Sequence, residues 1–243
     1  MQGAFGFDAE NHAKAWQWLT FESQADICLL QEVIPDEEFL QHWSDSYFVK
    51  KYSEKNWGSM ILVRQDRLDK FYPTVETPWL RRFHGSAPVA KHSDSGLTLC
   101  SIHSNAVPVS INDGELPDTL SRCDDKDLWE IELIAHDLAP MLIGQRFIVG
   151  GDLNSSLGFD LKYKHENNSR LFSNLQDYGL NDTRLKFFDQ EQQTYFKQGN
   201  DSYQIDHVYT DTKTFDQVKS WEVLSDLASG RKLSDHAPII LGL

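Results

Sequence analysis

Cysteine is scarce in this chain, with three in 243 residues. So small and odd a number gives no disulfide framework, and Cys28 and Cys100 sit in apolar runs where a free thiol behaves as a small hydrophobe. No apolar run approaches the roughly 20 residues that cross a bilayer, so no transmembrane segment is expected. No nucleophile elbow and no cysteine in a polar setting is present, which leaves a serine or thiol hydrolase without support. Met1–Asp8 has neither a basic stretch nor a continuous apolar segment, so it does not read as a secretion signal, and a reducing, cytoplasmic setting is expected.

Positive charge is also short. Thirty-seven acidic residues against 23 basic ones give a formal charge of −14, which repels polyanions at long range and argues against tight, sequence-independent duplex binding. The basic spots at Lys50, Lys51 and Lys55, at Arg81 and Arg82, and at Lys162 and Lys164 read as solvated faces and receive no site. Linkers, internal repeats and low-complexity stretches are missing too. One α/β domain over residues 1–243, a monomer, is the expectation.

What the chain does have is aromatic mass, with seven Trp, eight Tyr and fourteen Phe, and a succession of short apolar runs. Ala13, Trp16 and Leu19 recur at helical spacing between Ala9 and Ser23, and a second helix is expected from Pro35 through Trp43. Strands are expected at Ile27–Leu30, Tyr47–Lys51, Ser59–Val63, Phe71–Val75, Leu97–Ile102, Phe147–Asn154, Thr194–Phe196, Tyr203–Tyr209 and Phe215–Leu224. A long helix over Asp118–Ile143 and a shorter one over Arg170–Leu180 complete the pattern, which is that of sheets covered by helices.

The chemistry gathers where those runs end. Glu32, His103, Asp152, Asn154, Asp206, His207, Asp235 and His236 each close or follow an apolar strand. Asp152 and Asn154, two apart after Gly150 and Gly151, project to one face at a strand end where glycines admit close approach. Taken singly, Glu32 could cap a turn, Asp152 could form an Asx-turn and His103 could be a satisfied core histidine. Burying so many acids and imidazoles together is costly without a cation or mutual pairing. The donors are mostly hard oxygens with some imidazole and no thiolate, which favours Mg²⁺ or Mn²⁺ over structural zinc.

Four segments in order, Ile27-Cys-Leu-Leu-Gln-Glu32, Val149-Gly-Gly-Asp-Leu-Asn154, Ile205-Asp-His207 and Ser234-Asp-His-Ala-Pro238, resemble the endonuclease/exonuclease/phosphatase superfamily. The resemblance implies a four-layer α/β/β/α sandwich of two mixed β-sheets and a divalent-metal-dependent hydrolase of phosphoester bonds, most naturally a nuclease. By that likeness Glu32 and Asp235 hold the Mg²⁺ or Mn²⁺ ion, Asp152 positions or deprotonates water, and Asn154 holds the phosphate. His236, oriented by Asp206, takes a proton or stabilises the phosphate, and His103 resembles the strand-end histidine of the deoxyribonuclease-like and sphingomyelinase-like branches.

The chain departs from the family in one respect. The family opens with a strand ending in asparagine, whereas here no Asn precedes Asn11, so a chain shortened at its N-terminus and missing the first strand is expected. The competing readings are a sphingomyelinase-like enzyme or inositol-phosphate phosphatase and, from another class, a catalytically silent binding module. The partner expected is a phosphoester, with nucleic acid among the candidates.

Overall fold

The computed structural model describes residues 9–106, 108–109, 111, 128–196 and 202–243. Three β-segments hydrogen-bond in the order β1 (Ile27–Val33), β3 (Gly58–Val63), β2 (Asp45–Lys50), all antiparallel. A second sheet runs β4 (Leu68–Phe71), β5 (Val89–His92), β6 (Thr98–His103), β7 (Phe147–Asp152), β9 (Asp206–Thr210), β8 (Asn181–Asp182), with β6 and β7 parallel and its other neighbours antiparallel. β10 (Ser220–Val223) and β11 (Ile239–Gly242) form a separate antiparallel pair. The second sheet is therefore the mixed one of the two expected, and the first is antiparallel throughout.

Alternation along the strands builds the layers. Ile61 and Val63 of β3 face Leu99 of β6 and Ile148 of β7, with Tyr47, Ala90 and Leu97 completing the seam between the sheets. The other side of the first sheet, with Cys28, Met60 and Leu62, packs on Trp16 of α1 (Ala9–Gln17) and on Phe39 and Leu40 of α2 (Glu37–Leu40). The far side of the six-stranded sheet, with Cys100, Ile102, Phe147 and Val149, is covered by α4 (Glu130–Leu142) and α6 (Asn167–Asp177). Helices, sheet, sheet, helices is the expected four-layer order.

Local chemistry corrects several expected bounds. The second helix is only four residues long: Asp36, not Pro35, caps it by accepting from the Glu38 amide, and Trp43 lies beyond its end. The expected strand Phe71–Val75 lies earlier, at Leu68–Phe71. Phe215–Leu224 divides into α7 (Thr212–Gln217) and β10, because Asp211 caps a helix by accepting from Thr214 N at 3.0 Å. The expected helix Asp118–Ile143 is found only as α4, which begins at Glu130: Leu128 pairs with Val109 in an isolated β-bridge and Trp129 caps the helix, while residues 118–127 lie outside the described residues, as do Met1–Asp8, on which the first-strand expectation falls. Three short helices, α3 (Pro78–Arg82), α5 (Leu157–Tyr163) and α8 (Ser225–Ser229), and the strand β5 have no counterpart among the expected elements.

Gly151 lets the two sheets close at one end. Its φ is +142°, and a Cβ there would lie 2.1 Å from the Ile102 carbonyl and 2.6 Å from the Gln31 side-chain nitrogen. Both are far inside contact distance, and the Ile102 carbonyl is backbone that cannot swing away. Gly151→Ala is expected to lower the unfolding free energy by about 1–3 kcal/mol, read by denaturant titration. An unchanged midpoint would contradict the close approach.

Candidate active site

The register of the six-stranded sheet sets three polar side chains in a row. His103 ends β6 opposite Asp152, which ends β7, and Asp152 in turn stands opposite Asp206, which begins β9. Glu32 reaches the same place from the other sheet. A register shift between Leu30 and Val33 marks a bulge in β1, and Glu32 sits in it with φ +51°. Such a bulge re-aims a side chain that regular pleating would point elsewhere. Glu32 Oε1 lies 3.6 Å from His103 Nε2, which is itself 4.0 Å from Asp152 Oδ2.

Asn154 turns back on this row with φ +50°. Its amide N–H donates to Asp152 Oδ1 at 2.8 Å, and its side-chain nitrogen donates to the Ser104 carbonyl at 2.8 Å and to Asp152 Oδ2 at 3.2 Å. Two residues in the left-handed region, both at polar strand ends, are the kind of strain that functional sites retain.

The segment between α8 and β11 supplies the remaining pair. Asp235 and His236 follow Leu233, and the ring Nδ1 of His236 donates to Asp206 Oδ2 at 2.9 Å. Ala237 N bonds the Thr194 carbonyl, and Phe196 N bonds the Asp235 carbonyl at 2.7 Å, so the segment is pinned on both sides of the histidine. Thr194 Oγ1 accepts from the amides of Ile205 and Asp206, both at 3.1 Å, and the Tyr195 ring lies 5.0 Å from that of His236. Thr194 and Tyr195 were not anticipated as site residues; nothing in an isolated Thr-Tyr pair distinguishes it from ordinary strand.

Glu32, Asp152, Asp206, Asp235 and His236 all line one cleft of about 660 Å³. Its flanks are β1 and the segment Ser234–Leu243, its floor includes Ile148, Gly150 and Val208, and Ala15, Trp18 and Leu19 reach it from the helical side. His103 joins through Glu32 and Asn154 through Asp152, so the structure brings all seven predicted residues together. His207 points away: it is buried, holds the Ser155 carbonyl with Nε2 at 2.9 Å and packs on Phe172. Alternation along β9 puts it on the opposite face from Asp206.

Electrostatics separate the groups. Burial works against a charged His236 ring, but Asp206 at hydrogen-bond distance, with Asp152 and Asp235, outweighs it and holds the ring up at about 10. Asp206 is lowered in return: burial alone would raise it, and the His236 charge and hydrogen bond prevail. Burial pushes Asp152 up to about 7, with the His236 charge opposing. Burial, reinforced by the Lys51 charge, takes His103 down to about 3, so its ring is neutral.

Among the described residues no three His, Cys, Asp or Glu side chains stand arranged as a ready cage for a metal ion. Glu32 and Asp235 are hard oxygen donors on the cleft wall, and the buried, incompletely neutralised Asp152 adds to the demand for positive charge there.

A model of the Endonuclease/Exonuclease/phosphatase family matches residues 9–236. No curated protein is matched. Among solved structures, an AP endonuclease from Archaeoglobus fulgidus is similar at 14% identity with a TM-score of 0.72, the match covering 96% of this chain and 93% of that one. The 3'-5' exonuclease NExo from Neisseria meningitidis is similar at 16% identity and a TM-score of 0.70, over 96% and 95% of the two chains. A structure described as the 3' phosphatase NExo from Neisseria bound to product DNA hairpin gives 15% identity and a TM-score of 0.69, over 97% and 95%. At these identities the likeness is one of fold.

The folded His236 ring keeps its proton to about 10, whereas an unfolded histidine releases it near 6.5. The stabilisation from its pairing with Asp206 is therefore complete below about pH 6.5 and is lost as pH rises through about 10. In chelator, the gap in unfolding free energy between the wild type and His236→Gln is expected to narrow as pH rises from about 7 to about 10, by at most about 1.4 kcal/mol per pH unit. A gap independent of pH would contradict the pairing.

Proposed function

The chain belongs to the Endonuclease/Exonuclease/phosphatase family, and we propose on that footing that it is a divalent-cation-dependent hydrolase of phosphoester bonds, a phosphodiesterase of the nuclease type. The observation that carries this reading is the row His103, Asp152, Asp206 across adjacent strand ends, with Asp206 bonded to His236 at 2.9 Å. Such a row supplies in one place the two things phosphoryl transfer needs, a base for water and positive charge for the phosphoryl oxygens.

Roles follow from the environments. Asp152, raised to about 7, exchanges a proton near neutral pH and is the group to accept one from the attacking water. His236, held protonated by Asp206, keeps Nδ1 on that carboxylate and has Nε2 left to donate to a phosphoryl oxygen. Of the two roles the resemblance allows it, charge stabilisation fits this ring better than proton abstraction. Asn154 sets a neutral amide beside the phosphate without adding repulsion; its two side-chain N–H groups donate to the Ser104 carbonyl and, at the longer distance, to Asp152, and the second is the one that turns to the phosphate.

His103, neutral and beside Glu32, is placed to hold an oxygen or assist the leaving group. Glu32 and Asp235 would hold the Mg²⁺ or Mn²⁺ ion, which supplies polarisation of a phosphoryl oxygen and neutralisation of charge building in the transition state. That Glu32, Asp152, Asp206, Asp235 and His236, from segments spread along the sequence, line one cleft supports treating the chain as one domain. The net charge of −14 favours single strands or small phosphoesters over long duplex DNA as substrate.

Hydrolysis should be measured on plasmid DNA, short RNA, bis-p-nitrophenyl phosphate and sphingomyelin, with Mg²⁺, with Mn²⁺ and with chelator. At least one substrate is expected to turn over only with the cation, and Asp152→Asn and His236→Ala each to lose roughly 10²–10³ in kcat. Turnover surviving both substitutions overturns the assigned roles. Turnover of none of the four, with the fold intact, favours a binding module. Sphingomyelin as the preferred substrate moves the activity to lipid headgroups.

A further inference from the structure

Behind the site lies a buried ion pair that the proposed chemistry does not use. Lys51 follows β2, and its side chain is 2% exposed; Glu130, the first residue of α4, is 0% exposed. The Lys51 ammonium spends its three donors on the Ser86 hydroxyl at 2.5 Å, the His103 carbonyl at 2.5 Å and Glu130 Oε1 at 3.1 Å. The other Glu130 oxygen accepts from the Asn105 side chain. Between these two anchored residues, Ser104 donates its amide to the Asp152 carbonyl at 2.9 Å and accepts from Asn154 Nδ2 at 2.8 Å.

The pair thus grips both neighbours of Ser104, the residue that orients the Asn154 amide. Even the approach of Lys51 has been cleared: a Cβ on Gly85 would lie 2.1 Å from the Lys50 carbonyl and 2.6 Å from Lys51 Cα. Buried ion pairs contribute little net stability compared with apolar residues of like volume, so stability alone is a weak reason for one here. Enclosure also keeps the ammonium off any substrate in the cleft.

We propose that Lys51 and Glu130 are positioning residues: the pair clamps His103, Ser104 and Asn105 at the end of β6 and thereby fixes the side-chain amide of Asn154 and the ring of His103 in the site. The inference rests on the hydrolase reading for its kinetic consequence and on geometry alone for its structural one.

The double substitution Lys51→Met/Glu130→Gln removes both charges while keeping bulk, so it strands neither ion. Using the substrate that the wild type hydrolyses, kcat is expected to fall roughly 10- to 100-fold with KM within about threefold, since small misplacements of a positioning group act on the chemical step. In an Asn154→Ala background the same substitution should add little further loss, because the group it positions is gone. Protection of the Ser104 amide against hydrogen exchange should fall at least roughly tenfold in the double variant, a readout independent of activity.

If the double variant does not fold, Asn105→Ala, which leaves both buried charges in place, carries the test and should show the same kcat loss and the same Asn154 dependence. A folded variant with unchanged kcat, a loss confined to KM, or a full additional loss in the Asn154→Ala background overturns the clamp. A wild type inactive on every substrate defeats the hydrolase reading instead; unchanged Ser104 protection in that case defeats the clamp as well.

Discussion

The register between β6, β7 and β9 is the constraint on which the rest of this molecule depends. Because His103 stands opposite Asp152 and Asp152 opposite Asp206, one end of three adjacent strands carries an imidazole and two carboxylates side by side. A slip of one residue in either ladder would turn one of them to the other face, as His207 is turned. Gly150 and Gly151 allow the ladder to run tight to the facing sheet, so that Glu32, delivered by the bulge in β1, reaches the same cleft.

Crowding acids in this way creates an electrostatic demand that the fold meets unevenly. Asp206 is matched by His236 at 2.9 Å and stays ionised; Asp152, next to it, is pushed up to about 7 by burial, which the amide donors of Asn154 do not offset. Two neighbouring carboxylates are thereby driven apart in proton affinity by their partners, which is how acid and base roles come to be divided between like groups. Lys51 stands behind His103 and helps hold it neutral, so the positive charges near the cleft, Lys51 and His236, sit in different places with different partners.

Much of this was legible because the polar residues close short apolar runs. Glu32, Asp152 and Asn154, Asp206, and Asp235 with His236 each interrupt a run of Ile, Val or Leu, and a polar group at the mouth of a buried strand is conspicuous. The layers were legible for the same reason. What failed to show lay in short or long-range features. β5 has only four residues behind Pro88, too few for a period, and the Asp211 cap that makes α7 competes with aromatic and β-branched residues favouring strand. Lys51, between Lys50 and Tyr52, looked like part of a solvated basic spot; Lys50 is exposed and Lys51 is not. Its partner is 79 positions away, a distance no local pattern reports.

The central claim, that imidazole and carboxylate groups from separate strands share one cation-receiving cleft, is tested most directly by adding Mn²⁺ in small steps while watching side-chain NMR signals. The account predicts that the ring signals of His103 and His236 and the side-chain amide of Asn154 broaden together at the first additions. His92, at the opposite end of β6 from His103, should stay sharp, because paramagnetic broadening falls steeply with distance. Broadening of only one of the three, or of His92 as early as the others, would contradict it.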